Sequence, residues 1–209
     1  MLESKTYDWS STVYNLDKEE EEIEDMPVAL GKPVITTTYV DANLMHCLVT
    51  GRASTGILHL VNGTPIDWYS KRQSTVQTAT YGSEFVAARI ATDQVIDLKL
   101  TLAYLGIKVI RSVMFGDNKS VVTSSSLPQS KLSKRHVALA YHRVREAIAN
   151  NVLEFHHIDG KLNPADMLSK HAGYQQFWPM LQGLMFWGGN AGENKMEMKN
   201  NLDARLRII

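Results

Sequence analysis

Hydrophobic and polar positions change their spacing along the chain, and the change divides it into elements. Val34 to Asp41 is rich in Val, Ile, Thr and Tyr, a strand composition, and Leu44 to Thr50 continues in the same vein after the turn-like Asp41-Ala42-Asn43. One strand therefore either ends at Asp41 or bends through it. Gly51-Arg52-Ala53-Ser54-Thr55 reads as a turn, Gly56 to Val61 as a strand, Asn62-Gly63 as a hairpin signal and Thr64 to Ser70 as the returning strand. Together these segments predict a three-stranded antiparallel meander.

The period then lengthens. Glu84, Ala88, Ala91, Val95, Leu98 and Leu102 are spaced three or four apart and share one helical face, which predicts a helix from about Tyr81 to Leu105, stopped by Gly106. Ile107 to Phe115 follows as a strand, and Gly116-Asp117 turns the chain into a short helix over Asn118 to Ser125. The Ser-rich stretch before Pro128 breaks that helix. Lys134 to Asn150 carries Val137, Tyr141, Val144 and Ile148 on one side of a second long helix, and Val152 to Ile158 is a final strand. Asn163-Pro164-Ala165-Asp166 opens a last helix with an Asn cap, Pro at the first helical position and an acid at the third. The order βββ, α, β, α, α, β, α predicts an α/β fold. Its sheet is mixed, because a crossover helix makes its flanking strands parallel.

Composition limits what such a fold does. The lone Cys47 among 209 residues excludes an internal disulfide framework and every multi-cysteine zinc pattern. No apolar run approaches the roughly 18 to 20 residues needed to span a bilayer, so a soluble, intracellular protein is expected. The net charge of zero hides an asymmetry. Residues 1–30 hold nine acids and two bases, whereas the remaining 179 hold 13 acids and 20 bases, a net of +7. We expect a flexible acidic leader over 1–32, one domain over 33–173, and a tail over 174–209. In that tail Phe177 to Leu181 and Leu184 to Trp187 pack on the body, and the polar remainder frays. A basic body is the electrostatic footprint of a polyanion binder.

Four of the body's 13 acids stand at element boundaries: Asp41, Glu84, Asp117 and Asp166. Each has an ordinary structural explanation. Asp41 suits a turn, Glu84 the positive end of a helix dipole, Asp117 a helix cap, and Asp166 a capping pair with Asn163. Taken together they point elsewhere. If the first and fourth strands are neighbours, Asp41 and Asp117 meet at the strand ends where ligands of open α/β sheets collect, and the helices bring in Glu84 and Asp166. Converging carboxylates repel unless cations neutralise them, and hard oxygen donors suit Mg²⁺ or Mn²⁺.

Seven blocks in order carry a resemblance. They are Tyr39-Val40-Asp41-Ala42-Asn43, Arg52-Ala53-Ser54-Thr55-Gly56, Ile66 to Val76, Glu84 with Ala87-Ala88, Gly116-Asp117-Asn118-Lys119-Ser120, Lys134 to Glu146, and Pro164-Ala165-Asp166-Met167-Leu168-Ser169-Lys170. From about Val34 to His171 the chain resembles the ribonuclease H domain of copia-type LTR-retrotransposon polyproteins. The resemblance implies a five-stranded mixed sheet flanked by helices, three strands antiparallel and the rest parallel. It also implies that Asp41, Glu84, Asp117 and Asp166 are catalytic ligands of two Mg²⁺ ions, with Mn²⁺ as substitute, about 3.5 to 4 Å apart around a scissile phosphate.

The implied reaction is hydrolysis of the RNA strand of an RNA/DNA hybrid during reverse transcription, leaving 5′-phosphate ends. The implied partners are the hybrid and the reverse transcriptase domain of the same polyprotein; the isolated domain is expected to be a monomer, in the cytoplasm or a virus-like particle. Two departures stand out. Thr80-Tyr81-Gly82-Ser83-Glu84-Phe85 keeps only the second Glu of the usual copia pattern, and Gly160-Lys161-Leu162 lacks the histidine that cellular ribonucleases H often carry before the last helix.

Reading the 2′-hydroxyl falls by position to Gln77, Thr78, Thr80 and Asn118, and phosphate contacts to Lys71, Arg72, Lys119, Lys131, Lys134 and Arg135. The alternatives are a degenerate module that binds hybrid or tethers a polymerase without cutting, and a related fold acting on DNA.

Overall fold

The computed structural model describes residues 31–132, 134–171 and 173–185. Most of the acidic leader and the polar end of the tail lie outside the described residues. Five strands form one sheet: β1 (Val34–Cys47), β2 (Arg52–Val61), β3 (Thr64–Val76), β4 (Val109–Gly116) and β5 (Glu154–His157), in the order β3-β2-β1-β4-β5. The first three pair antiparallel, and β4 on β1 and β5 on β4 are parallel, as the sequence predicts. Helices α1 (Thr80–Tyr104), α2 (Lys119–Ser126) and α3 (Ala138–Ala149) pack on one face around Val40, Ile57, Phe85, Ala88, Met114, Tyr141 and Val144. The single-turn α4 (Asp166–Ser169) and α5 (Tyr174–Leu184) belong to the other face, where Tyr39, Leu58, Leu60 and Ala165 are buried. Among the described residues no helix is long and apolar enough to cross a membrane.

Of the two readings left open for β1, the strand bends through Asp41: pairing with Gly56, Thr55 and Ser54 of β2 carries it to an irregularity before Cys47. Several other boundaries differ from the sequence expectation, each for a tertiary reason. Residues 52–55 are therefore strand and not turn; the reversal falls at residues 48–51, where Gly51 takes φ +67°. β3 runs six residues past Ser70 because Gln73 is buried, its amide donating to Thr55 Oγ1 (3.0 Å) and to the Ser83 carbonyl (2.8 Å). The Asn62-Gly63 hairpin forms with both residues at positive φ, the pattern of a two-residue turn that matches strand twist.

On α1, Glu84, Ala88, Ala91, Val95 and Leu102 are buried as the spacing predicts, and Leu98 is half-buried. Gly106 at φ +73° ends the helix: its N–H bonds the Ala103 carbonyl and that of Ile107 bonds Leu102, closing the last turn. The second long helix begins later than Lys134, at Ala138, after a single 3₁₀ turn over Arg135–Val137. The last predicted helix shrinks to the one turn of α4. Asn163 does not make a capping pair with Asp166. Its amide nitrogen donates to the Val40 carbonyl (2.9 Å) and its oxygen accepts from Ala165 N–H (3.2 Å), stitching the segment to β1.

Candidate metal centre

Parallel pairing of Val40 with Gly116 sets Asp41 and Asp117 side by side where β1 leaves its partner and β4 ends. α1 crosses this end of the sheet and turns Glu84 inward. The residue lies in the second helical turn and not the first, which holds no acid, so its place comes from the buried face of α1 and not from the helix dipole. Oxygens of Asp41, Glu84 and Asp117 all lie within 4.8 Å of one another. Asp41 is 1% exposed and Glu84 6%, whereas Asp117 is half-buried.

Burial and mutual repulsion leave these acids reluctant to ionise. Burial, reinforced by Asp117 and Asp166 and opposed by the Ser169 hydroxyl and Lys170, pushes Asp41 up to about 6. Burial and then the neighbouring Asp41 and Asp117 raise Glu84 well above the usual carboxylate range, and burial also raises Asp117. A divalent cation would remove the penalty, and carboxylate oxygens are the donors that Mg²⁺ and Mn²⁺ take. The three acids line an open cleft of about 490 Å³ together with Thr80, Asn118, Lys119 and Lys170.

No family model matches the chain. Over 140 residues, 67% of its length, it is 31% identical to a retrovirus-related Pol polyprotein from transposon TNT 1-94 of Nicotiana tabacum, of which it spans 10%. In structure it is similar to the N-terminal RNase H domain of a Mycobacterium tuberculosis protein, solved as a fusion with maltose binding protein. The TM-score there is 0.52 at 13% identity, over 73% of this chain and 99% of that one. The chain belongs with the ribonuclease H domains of retrotransposon Pol polyproteins. An RNase H1 of the archaeon Halobacterium salinarum aligns with TM-score 0.48 at 13% identity, over 66% of this chain and 95% of that one.

The fourth acid of this ribonuclease H domain, Asp166, stands apart from the other three. It opens α4 and forms an ion pair with Lys170, whose Nζ is also 3.9 Å from Asp41 Oδ2. Its charge is nevertheless felt at Asp41 and Asp117. α4 is seated tightly: a Cβ on Gly56 would stand 2.5 Å from the Ala165 carbonyl oxygen and 2.9 Å from Ser169 N, so only glycine lets the turn rest on β2. Ser70 Oγ donates to the Leu168 carbonyl (2.6 Å) at the end of that turn. Buried Ser169 donates its hydroxyl to Asp41 Oδ2.

Sequence reasoning missed three residues at this centre. Both Ser169 and Lys170 stand in the seventh block of the resemblance without a role assigned to them; the contact of Ser169 depends on β1 lying beneath α4, whereas Lys170, four residues beyond Asp166, shares a helical face with it. His157 Nε2 donates to the Asp117 carbonyl (3.0 Å), a contact that arises only because β5 lies beside β4.

The expected nucleic-acid contacts divide into groups. Thr80, Asn118 and Lys119 line the cleft; Asn118, not Asp117, also caps α2, accepting from Val121 N–H at 3.2 Å. Thr78 is exposed between β3 and α1. Gln77, expected to read a 2′-hydroxyl, is 7% exposed, its amide nitrogen donating to Thr75 Oγ1 and its oxygen lying beside Gly82 with no hydrogen-bond partner among the described residues. Lys71 and Arg72 are exposed on β3, Lys71 over the Tyr69 ring (5.6 Å) and Arg72 Nη1 at 3.6 Å from Cys47 Sγ. Lys134 lies over the Tyr81 ring (5.8 Å), and Lys131 and Arg135 are exposed nearby in the chain.

Proposed function

We propose that this domain hydrolyses the RNA strand of RNA/DNA hybrids in retrotransposon reverse transcription, with Asp41, Glu84, Asp117 and Asp166 as ligands of two divalent cations. The observation that carries the reading is the convergence of three buried or half-buried carboxylates within 4.8 Å at the mouth of an open cleft. Nothing in packing requires three like-charged groups there, and the all-oxygen donor set fits Mg²⁺, with Mn²⁺ as substitute. When bound, such ions activate water at neutral pH and neutralise charge on the leaving oxygen.

The chain's own residues supply placement. Ser169 fixes the orientation of Asp41 through its Oδ2, and the parallel β1–β4 pair sets the distance from Asp41 to Asp117. Thr80 and Asn118 offer short polar groups to the 2′-hydroxyl of a strand lying in the cleft, and Lys119 a charge to its phosphates. Lys71, Arg72, Lys131, Lys134 and Arg135 would add sequence-independent phosphate contacts. The polyprotein's reverse transcriptase domain is the natural partner, since it produces the hybrid.

The test is cleavage of a labelled RNA/DNA duplex with Mg²⁺ or Mn²⁺. Asp117→Asn is expected to lower the rate by at least about 10²-fold, the scale on which removal of charge-stabilising groups acts. A wild type that binds the hybrid but cuts it with neither metal is a tethering module, and one that cuts duplex DNA acts on the wrong substrate for this reading.

A further inference from the structure

Lys170 holds a position that no part of the reaction scheme above uses. Its ammonium projects from the C-terminal end of α4 into the cleft lining, ion-paired with Asp166 and 3.9 Å from Asp41 Oδ2. The side chain is 41% exposed, so the cation is tethered at the rim and not sealed in the core. The consequence appears in the acids: Asp41, Glu84 and Asp117 gather within 4.8 Å, while Asp166, engaged with Lys170, is not part of that group.

We propose that Lys170 is a built-in counter-ion that holds Asp166 out of the carboxylate cluster, so that a divalent ion binding between Asp41 and Asp166 must first displace its ammonium. The inference rests on the metal-centre reading above. An ammonium and a dication repel at distances of about 4 Å and compete for the same oxygens. The field of Lys170 also reaches Glu84 and Asp117, but it forms ion pairs with Asp41 and Asp166 alone, so its hold is strongest on the pair of acids it touches. A displaced Lys170 remains at the cleft rim, free to meet a phosphate, so hybrid arriving in the cleft would favour the same exchange. The lysine thereby couples assembly of the second cation site to the presence of substrate.

Mn²⁺ binding to the 209-residue chain, measured by calorimetry and by the loss of free-ion EPR signal, tests this without hybrid and without turnover. Lys170→Met and Lys170→Gln are expected to bind Mn²⁺ on the order of tenfold more tightly, or to bind one ion more, than the wild type. Lys170→Arg keeps the charge and should match the wild type. Equal or weaker Mn²⁺ binding in both neutral variants overturns the role given to Lys170. An Asp117→Asn control separates the two readings. If wild-type binding is unchanged in that variant, the carboxylates are not a metal centre, and both readings fall. If binding is lost in Asp117→Asn but insensitive to Lys170, only this inference falls.

Discussion

Asp41 shows how a single side chain carries two accounts at once. Read along the chain, it belongs to a turn-like triplet, and its chemistry is ambiguous; in the sheet it is a buried strand residue that burial pushes up to about 6. The unfolded value is near 4, so the folded protein binds the proton more tightly than the unfolded chain. The associated stability is therefore fully present below about pH 4 and is lost as the pH rises through about 6. At pH 7 the shift corresponds to about 3 kcal/mol of destabilisation, to which raised Glu84 and Asp117 add in the same direction. Melting in EDTA should accordingly show a lower Tm at pH 7 than these groups would allow at pH 4.5. Asp41→Asn should raise the Tm at pH 7, and saturating Mg²⁺ should raise that of the wild type while leaving the variant unmoved. A variant that melts below the wild type in EDTA would mean that Asp41 is structurally required. Asp166→Asn, by contrast, removes an acid at the start of α4, and the expected signature is loss of cleavage with little change in Tm.

The strongest element-scale constraint is the seat of α4. A four-residue helix has too few internal bonds to hold itself, and it is fixed from outside by Asn163 on the Val40 carbonyl, by Ser70 on the Leu168 carbonyl and by contact with bare Gly56. Gly56→Ala should cost about 1–3 kcal/mol by overpacking, and because it displaces Ser169 and Asp166 it should weaken Mn²⁺ binding as well. Denaturant unfolding and Mn²⁺ titration of the one variant check both; an unchanged metal affinity would mean that α4 does not govern the site. Asn163→Ala leaves the buried Val40 carbonyl without its partner and should cost about 1–3 kcal/mol. The capping signature at Asn163-Pro164-Ala165-Asp166 marks a helix that starts two residues later than Pro164, at Asp166, and lasts a single turn. The Asn side chain serves twice, its oxygen accepting from Ala165 N–H and its amide nitrogen joining the segment to β1, a partner 123 residues away in sequence. Helix α1, whose period persists for 25 residues, was legible almost to the residue because its face, its length and its Gly106 stop agree.

At the scale of the molecule, charge is the property that sequence conveys most directly. A body of +7 binding a polyanion should lose hybrid affinity steeply with salt, since each neutralised phosphate contributes about −0.9 to the slope of log K against log salt for B-form duplexes. Replacing Lys71 and Arg72 with Ala should make that slope shallower by about one to two while leaving Mn²⁺ binding intact; fluorescence anisotropy across a salt series reads it, and an unaltered slope would remove β3 from the hybrid interface. By itself the sequence determined the order of elements, the mixed sheet, the face of α1 and the four boundary acids, because period, turn chemistry and helix stops are local and each acts within a few residues. The tertiary structure decided which acids meet, that Gln77 turns inward, that β1 passes through Asp41, and that Ser169, Lys170 and His157 surround the carboxylates. Apart from the Asp166–Lys170 pair, four residues apart, those outcomes rest mainly on pairing between segments up to 128 residues apart, and no local pattern records a partner at that distance.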